Sequence, residues 1–274
     1  MHKQSRTNGG VCMDNTTIHL ITDFGFEAPE HTIAQIQLLR NFPGASIVYS
    51  PQLFRKGHAL QQAIFGKLVC GHFPDNSIHI FRVGTLAKLP PRFVLGHFGN
   101  QFFLAPDNGI LPLLFDDPTG GNATYYQITP AEAVVNPLIQ VYLPAIKTLI
   151  EKGYSVQNSF ETKDQVYRMN MPEPTISGSI LRLTVIYNDV FGNAYFNLNY
   201  RDFEMLRNQR KFRLMINHYT ELNRLSLDYN DVPEGNPICT FGHGGLLQIA
   251  VNAGSSAQLL ELSEGKNIML EFVD

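Results

Sequence analysis

Leu104-Ala105-Pro106-Asp107-Asn108-Gly109-Ile110-Leu111 joins two apolar runs, Gln101 to Ala105 leading in and Ile110 to Phe115 leading out. Proline fixes φ, Asp and Asn accept left-handed geometry and glycine allows positive φ, so the stretch reads as strand, turn, helix. Two uses of the turn are open. It is a plain connection, or Asp107 and Asn108 line a site at a strand end, where ligands gather in open α/β sheets. The turn alone does not choose between them. Ile21-Thr22-Asp23-Phe24-Gly25 and Asn188-Asp189-Val190-Phe191-Gly192-Asn193 must be read with it.

Upstream, Thr17 to Thr22 is a β-rich run that ends at Asp23. Glu30 to Leu39 reads as a helix with Ile33, Ile36, Leu38 and Leu39 apolar, stopped by Asn41-Phe42-Pro43-Gly44. Ala45 to Tyr49 is a second strand, Ala59 to Cys70 a second helix, and Ser77 to Val83 a third strand. Phe93 to Gly96 and Gln101 to Ala105 flank His97-Phe98-Gly99-Asn100 as a β-hairpin. Strand-helix-strand-helix-strand is the pattern of a mostly parallel sheet with covering helices.

Downstream, Ala123 to Ile128 is a further strand. A helix opens at Asn136-Pro137, with Asn as cap and Pro at the first position, and runs to about Lys152 with a kink at Pro144. The composition then changes. Short strands follow at Leu181 to Tyr187, Ala194 to Leu198, Phe212 to Asn217, Leu246 to Asn252 and Asn267 to Phe272. Leu181, Leu183, Val185 and Tyr187 alternate with Arg182, Thr184 and Ile186, the mark of a half-buried strand. The expected organisation is a disordered lead-in (1–16), an α/β N-terminal domain with a mostly parallel sheet (17–160), a linker (161–178), and a mostly-β C-terminal barrel or sandwich (179–274).

The bulk composition excludes several classes. Net charge is −3 with no basic run, which argues against a nucleic-acid partner. Cys12, Cys70 and Cys239 lie far apart and form no Cys-x-x-Cys pair, so neither a disulfide framework nor a cysteine-ligated metal site is expected. No apolar run approaches a membrane span, and the polar N-terminus lacks a signal peptide's apolar core. A cytoplasmic protein without a membrane partner is the expectation.

Each candidate residue has a plain reading beside the functional one. Asp23, just past a strand, suits a ribose diol, which its carboxylate can accept from twice; otherwise it is a turn or capping Asp. Asp189 and Asn193 can face an ammonium or a base; otherwise they build a β-turn through Asx hydrogen bonds. His79 lies inside a strand and reads as structural. His31 and His58, with Glu30 and Arg55, are the polar clusters near the early strand ends and the candidates for a catalytic base. Gly242-His243-Gly244-Gly245 lacks the Lys-Ser/Thr and the following helix of a P-loop, and reads as a tight loop that a ligand can approach.

Together the motifs resemble the S-adenosyl-L-methionine (SAM) hydrolase family, the SAM hydroxide adenosyltransferases, relatives of the fluorinases and chlorinases. The resemblance rests on Ile21-Thr22-Asp23-Phe24-Gly25, Ala105-Pro106-Asp107-Asn108-Gly109, Asp189-Val190-Phe191-Gly192-Asn193 and Gly245 to Ala257 (GLLQIAVNAGSSA), in that order. It implies a homotrimer with an adenosyl ligand bound at the subunit interface, no separate cofactor, and no metal. Asp23 with Phe24 would hold the ribose, Asp107 and Asn108 would line the site, Asp189, Phe191 and Asn193 would face the methionine end and adenine, and Ala257 would offer backbone groups to the base. The implied reaction is attack of water at C5′, giving adenosine and methionine. The chain departs from the family where water is activated. The family's Asp-Pro-Gly-Val-Gly-Thr-x-Arg reads here Phe81-Arg82-Val83-Gly84-Thr85-Leu86-Ala87-Lys88. Its Asp-x-Tyr-Val-Gly reads Ala28-Pro29-Glu30-His31-Thr32, its Asp-Ile-Thr-His reads Tyr49-Ser50-Pro51-Gln52, and no His lies between Asn122 and Asn136 where His-Gly-Arg-Asp is expected. Three readings follow: a hydrolase with a relocated base, a non-catalytic relative that binds SAM or a nucleoside, and an interaction module that keeps only the fold.

Overall fold

A computed structural model describes residues 16–51, 54, 58–82, 92–116 and 121–273. The expected lead-in up to residue 15, Arg55, and the Val83 to Lys88 part of the family comparison lie outside the described residues. The chain forms two compact units, Met1–Gly66 with His72–Met169, and Asn170–Asp274 with Lys67–Gly71.

The first unit is built on a six-stranded sheet. Its strands are β1 (Thr17–Thr22), β2 (Ser46–Pro51), β3 (Ile78–Arg82), β4 (Phe93–Phe98), β5 (Gln101–Pro106) and β6 (Thr124–Ile128), in the order β2-β1-β3-β5-β4-β6. β2, β1, β3 and β5 run parallel; β4 pairs antiparallel with both β5 and β6. The expected mostly parallel sheet is therefore present, with the hairpin and β6 as its antiparallel margin. The helices are α1 (Pro29–Asn41), α2 (Ala59–Val69), the short α3 (Ile110–Leu114) and α4 (Leu143–Glu151).

The period of two along the strands divides the sheet's faces. Ile18, Leu20, Ile78, Ile80, Phe102 and Leu104 point into one core, filled from outside by Ala34 and Leu38 of α1 and by Ile146, Leu149 and Ile150 of α4. Alternate residues face the other way. Among them are His19 of β1 and His79 of β3, both fully buried, whose Nδ1 atoms lie 3.0 Å apart. One must donate to the other. Ser50 takes the His19 Nε2 at 2.8 Å, Phe73 stacks on His19 and Phe103 on His79. His79 is thus the core residue its strand position suggests.

Local departures have physical causes. In α1 the buried residues are His31, Ala34 and Leu38, whereas Ile33, Ile36 and Leu39 are exposed. The helix expected from Asn136 to Lys152 begins with a π turn at Leu138–Tyr142 and becomes α-helical only at Leu143. Pro144 has no N–H to give and crowds the preceding turn, so the wider turn lies immediately before it. Asn136 still caps the start, its Oδ1 accepting the Leu138 N–H, and Gly153 in left-handed geometry closes the end.

The second unit is an antiparallel sheet of β7 (Thr175–Ser177), β8 (Ile180–Asn188), β9 (Ala194–Asn199), β10 (Lys211–Met215), β11 (Glu221–Leu222), β12 (Pro237–Phe241), β13 (Leu246–Val251) and β14 (Asn267–Val273). Its order is β11-β10-β14-β8-β9-β13-β12, with β7 on β8, and it wraps nearly into a barrel around Leu183, Phe196, Leu214, Leu247 and Leu270. α5 (Tyr200–Arg207) follows β9 and α6 (Ser256–Leu259) follows β13. The alternation in β8 holds to Val185 and then shifts, because a register irregularity between Val185 and Tyr187 buries Ile186 as well.

Candidate functional site

Because β2 and β3 lie on opposite sides of β1, the chain changes direction at β1 and β3. A crevice opens outside the carboxyl ends of strands at such a point, and α/β sheets bind ligands there. Asp23 is the residue after β1 and is only 8% exposed. Thr22 holds the bend beside it by donating from Oγ1 to the Phe24 carbonyl. Arg82 ends β3 in register with Thr22, and its guanidinium lies 4.9 Å from the centre of the Phe24 ring. Burial pulls the Arg82 pKa down, and the Tyr142 hydroxyl, Glu30 and Asp23 oppose that shift.

His31 and His58 belong to the same unit. His31 is 4% exposed in the first turn of α1, between Phe26 and Tyr49. Its Nε2 accepts from the Gln35 side chain at 2.9 Å, and its Nδ1 has no partner among the described residues. His58 stands immediately before α2, and its Nδ1 is likewise buried without a described partner.

In the Pro106–Gly109 turn, Asp107 and Asn108 both bond within the first unit. Asp107 Oδ2 lies 3.6 Å from Lys163 Nζ, and both side chains are largely buried. Its Oδ1 accepts the Tyr167 N–H at 2.7 Å. Asn108 Oδ1 accepts the N–H of Ile110, at the start of α3. Gly109 has φ of 92°, and a Cβ there would stand 2.6 Å from Met169 Cγ. Glu161 and Lys163, from the stretch expected as a linker, hydrogen-bond to Gln127 and Tyr125 of β6. Asp107 thus ties that segment to the first unit.

In the second unit the structure brings Asp189, Phe191, Asn193 and Ala257 together. Asp189 Oδ1 accepts the N–H groups of Phe191 and Asn193, while Oδ2 accepts from Asn193 Nδ2 and the Tyr195 hydroxyl. The Gly192 carbonyl accepts the Ala257 N–H and the Ser256 hydroxyl, which joins this turn to the start of α6. Gly192 has φ of 81°, and an added Cβ would fall on the Ser255 hydroxyl. Val190 and Phe191 project outward, 91% and 75% exposed, and Leu259 is 63% exposed. Burial first, then Asp189 and Glu264, raise Tyr187 to about 12; burial and Asp189 also raise Tyr195. Both phenols stay protonated, and Tyr195 donates to Asp189. Sequence reasoning missed Arg82, Tyr195 and Ser256 as members of these clusters. Arg82 was legible as the one Lys or Arg of the third strand run.

A mostly parallel sheet with Asp23 and Arg82 at its switch point, followed by an antiparallel β unit with a tied Asx turn, defines a two-unit class. Residues 18–160 match the N-terminal domain of the SAM hydroxide adenosyltransferases and residues 183–269 match their C-terminal domain. The chain belongs to that SAM-utilising family. It is 25% identical over 286 residues to the (R)-S-adenosyl-L-methionine hydrolase of Thermus thermophilus, covering 92% of this chain and 98% of the relative. Two solved structures share the fold. An uncharacterized conserved protein of Thermotoga maritima aligns with a TM-score of 0.78 at 20% identity, over 92% of this chain and 99% of its own. A conserved hypothetical protein of Thermus thermophilus aligns with a TM-score of 0.66 at 22% identity, over 93% of this chain and 99% of its own.

Proposed function

We propose that the protein binds SAM at the β1–β3 crevice and hydrolyses it to adenosine and methionine. The observation that carries this reading is Asp23, a nearly buried carboxylate at the switch point of a chain of this family. Its two oxygens suit the ribose 2′- and 3′-hydroxyls. A water oxygen attacks C5′ in line, the C5′–S bond breaks, and its electron pair returns to sulfur. Methionine leaves as a neutral thioether, and the water proton passes to solvent or to a nearby base. The sulfonium is already a good leaving group, so orientation of water and C5′ is the main requirement. His31 and His58, each with a buried Nδ1 lacking a described partner, are the proposed bases. The proposed assembly is a homotrimer with the site at the subunit interface.

A second reading is supported by the departures at Phe81 to Lys88 and Asn122 to Asn136. A relative without a water-activating group would keep nucleoside binding and lose turnover, since general-base help is worth about 10²–10⁴ in rate. Chromatography of SAM incubations separates the two. Equal adenosine and methionine above a protein-free control, lost in Asp23→Ala, supports the hydrolase. Retention of SAM or adenosine by the protein without product supports binding alone.

A further inference from the structure

The carboxyl ends of β1 and β3, at the sheet's switch point, carry opposite charges. Asp23 follows β1 and Arg82 ends β3. Arg82 is half-buried, which a guanidinium tolerates when its N–H donors are used. Its guanidinium has no hydrogen-bond acceptor among the described residues; the Phe24 ring lies beneath it, with the Tyr142, Glu30 and Asp23 groups around it. A guanidinium resting on a ring presents its N–H fork at its edges, the geometry that pairs with carboxylate or phosphate through two parallel hydrogen bonds. It occupies the place where the strand order opens a ligand site, one strand from the proposed ribose anchor.

We propose that Arg82 is a specificity residue that receives an oxyanion of the adenosyl ligand whose ribose Asp23 holds. This inference rests on the reading that the crevice binds an adenosyl compound, and adds which part of that compound Arg82 selects. SAM carries one oxyanion, the α-carboxylate of its methionyl arm. A guanidinium repels the sulfonium and attracts that carboxylate, so the arm is oriented with its carboxylate end toward Arg82 and C5′ left open to water. The same fork would accept a 5′-phosphate, and the two sources are separable because matched ligands differ in that group alone.

Calorimetry on the full chain with four probes makes the test: SAM, its decarboxylated form, adenosine 5′-monophosphate and adenosine. Binding is compared for the native protein, Arg82→Gln, Arg82→Lys and Asp23→Ala, each first checked for a native-like melting profile. The expected result is that the native protein binds the oxyanion-bearing member of at least one pair ten-fold or more tighter than its partner. Arg82→Gln removes that difference while leaving the decarboxylated form and adenosine unchanged, and Arg82→Lys restores part of it. A gap in the SAM pair identifies the carboxylate as the group received; a gap in the nucleotide pair identifies the phosphate. Equal affinities within both pairs, or an Arg82→Gln loss shared by all four ligands, overturns the proposal and leaves Arg82 as a structural counter-charge to Asp23 and Glu30. If adenosine still binds and Asp23→Ala weakens it, that failure belongs to Arg82 alone. If the native protein binds none of the four, both the adenosyl reading and the inference built on it fall.

Discussion

Both carboxylate oxygens of Asp189 are used twice, on two backbone amides and on the Asn193 and Tyr195 side chains. The groups this turn presents outward are Val190 and Phe191, and Asp189 fixes their position. Asp189→Ala leaves those donors to water or to nothing. The expected loss is about 1–3 kcal/mol, read from the urea midpoint, together with faster amide exchange at Phe191 and Asn193. His19 and His79 give a second residue-scale consequence. Burial lowers His19 to about 4; burial, with His19 beside it, lowers His79 to about 3. Both folded values lie below the unfolded value of about 6.5, so in that window the unfolded chain takes up protons that the folded chain refuses. Stability is therefore intact above pH 6.5 and falls as pH drops toward the folded values. Each histidine accounts for about 2 kcal/mol between pH 6.5 and 5. Urea midpoints across that range check the slope, and His79→Gln should flatten it.

At the scale of elements, the Asp107–Lys163 pair decides how the segment after α4 is held. Both side chains are largely out of water, so removing one leaves a buried charge behind. Lys163→Met is expected to cost about 3 kcal/mol, and adding Asp107→Asn should recover part of it; chemical denaturation of the single and double variants measures both. The pairing is long-range, and for that reason the sequence did not disclose it. Pro-Asp-Asn-Gly announces a turn but not which lysine, 56 residues on, its aspartate will meet. Elements marked by strict periodicity or punctuation were readable: the early strand-helix alternation, the Gln101–Pro106 hairpin arm, and the alternating start of β8. The missed elements, β7, β11, β12, α5 and α6, are short or lack an apolar period. α5 did carry a local signal, since Asn199 caps it by accepting the Asp202 N–H. The exposed Ile33, Ile36 and Leu39 of α1 show a different limit. Apolar spacing marks a helix, but Leu38 and the small Ala34 were the residues that packed, because they face the sheet. Asp23 at its strand end and Asp189 with Asn193 in their Asx turn were legible by position, whereas the switch point between β1 and β3 follows from strand order, which a sequence states only indirectly.

For the whole molecule, the described residues contain no helix long and apolar enough to cross a membrane. The proposed trimer predicts a sedimentation-equilibrium mass of about three times the 30.8 kDa chain; a mass of a single chain at working concentrations contradicts it. The proposed reaction is displacement at C5′ by water, and the isotope in the product reports it most directly. The protein is incubated with SAM in ¹⁸O-labelled water, and the adenosine and methionine are weighed by mass spectrometry. One ¹⁸O in adenosine, none in methionine, and loss of both products in Asp23→Ala is the predicted result. No product above a protein-free control, or label in methionine rather than adenosine, would contradict it.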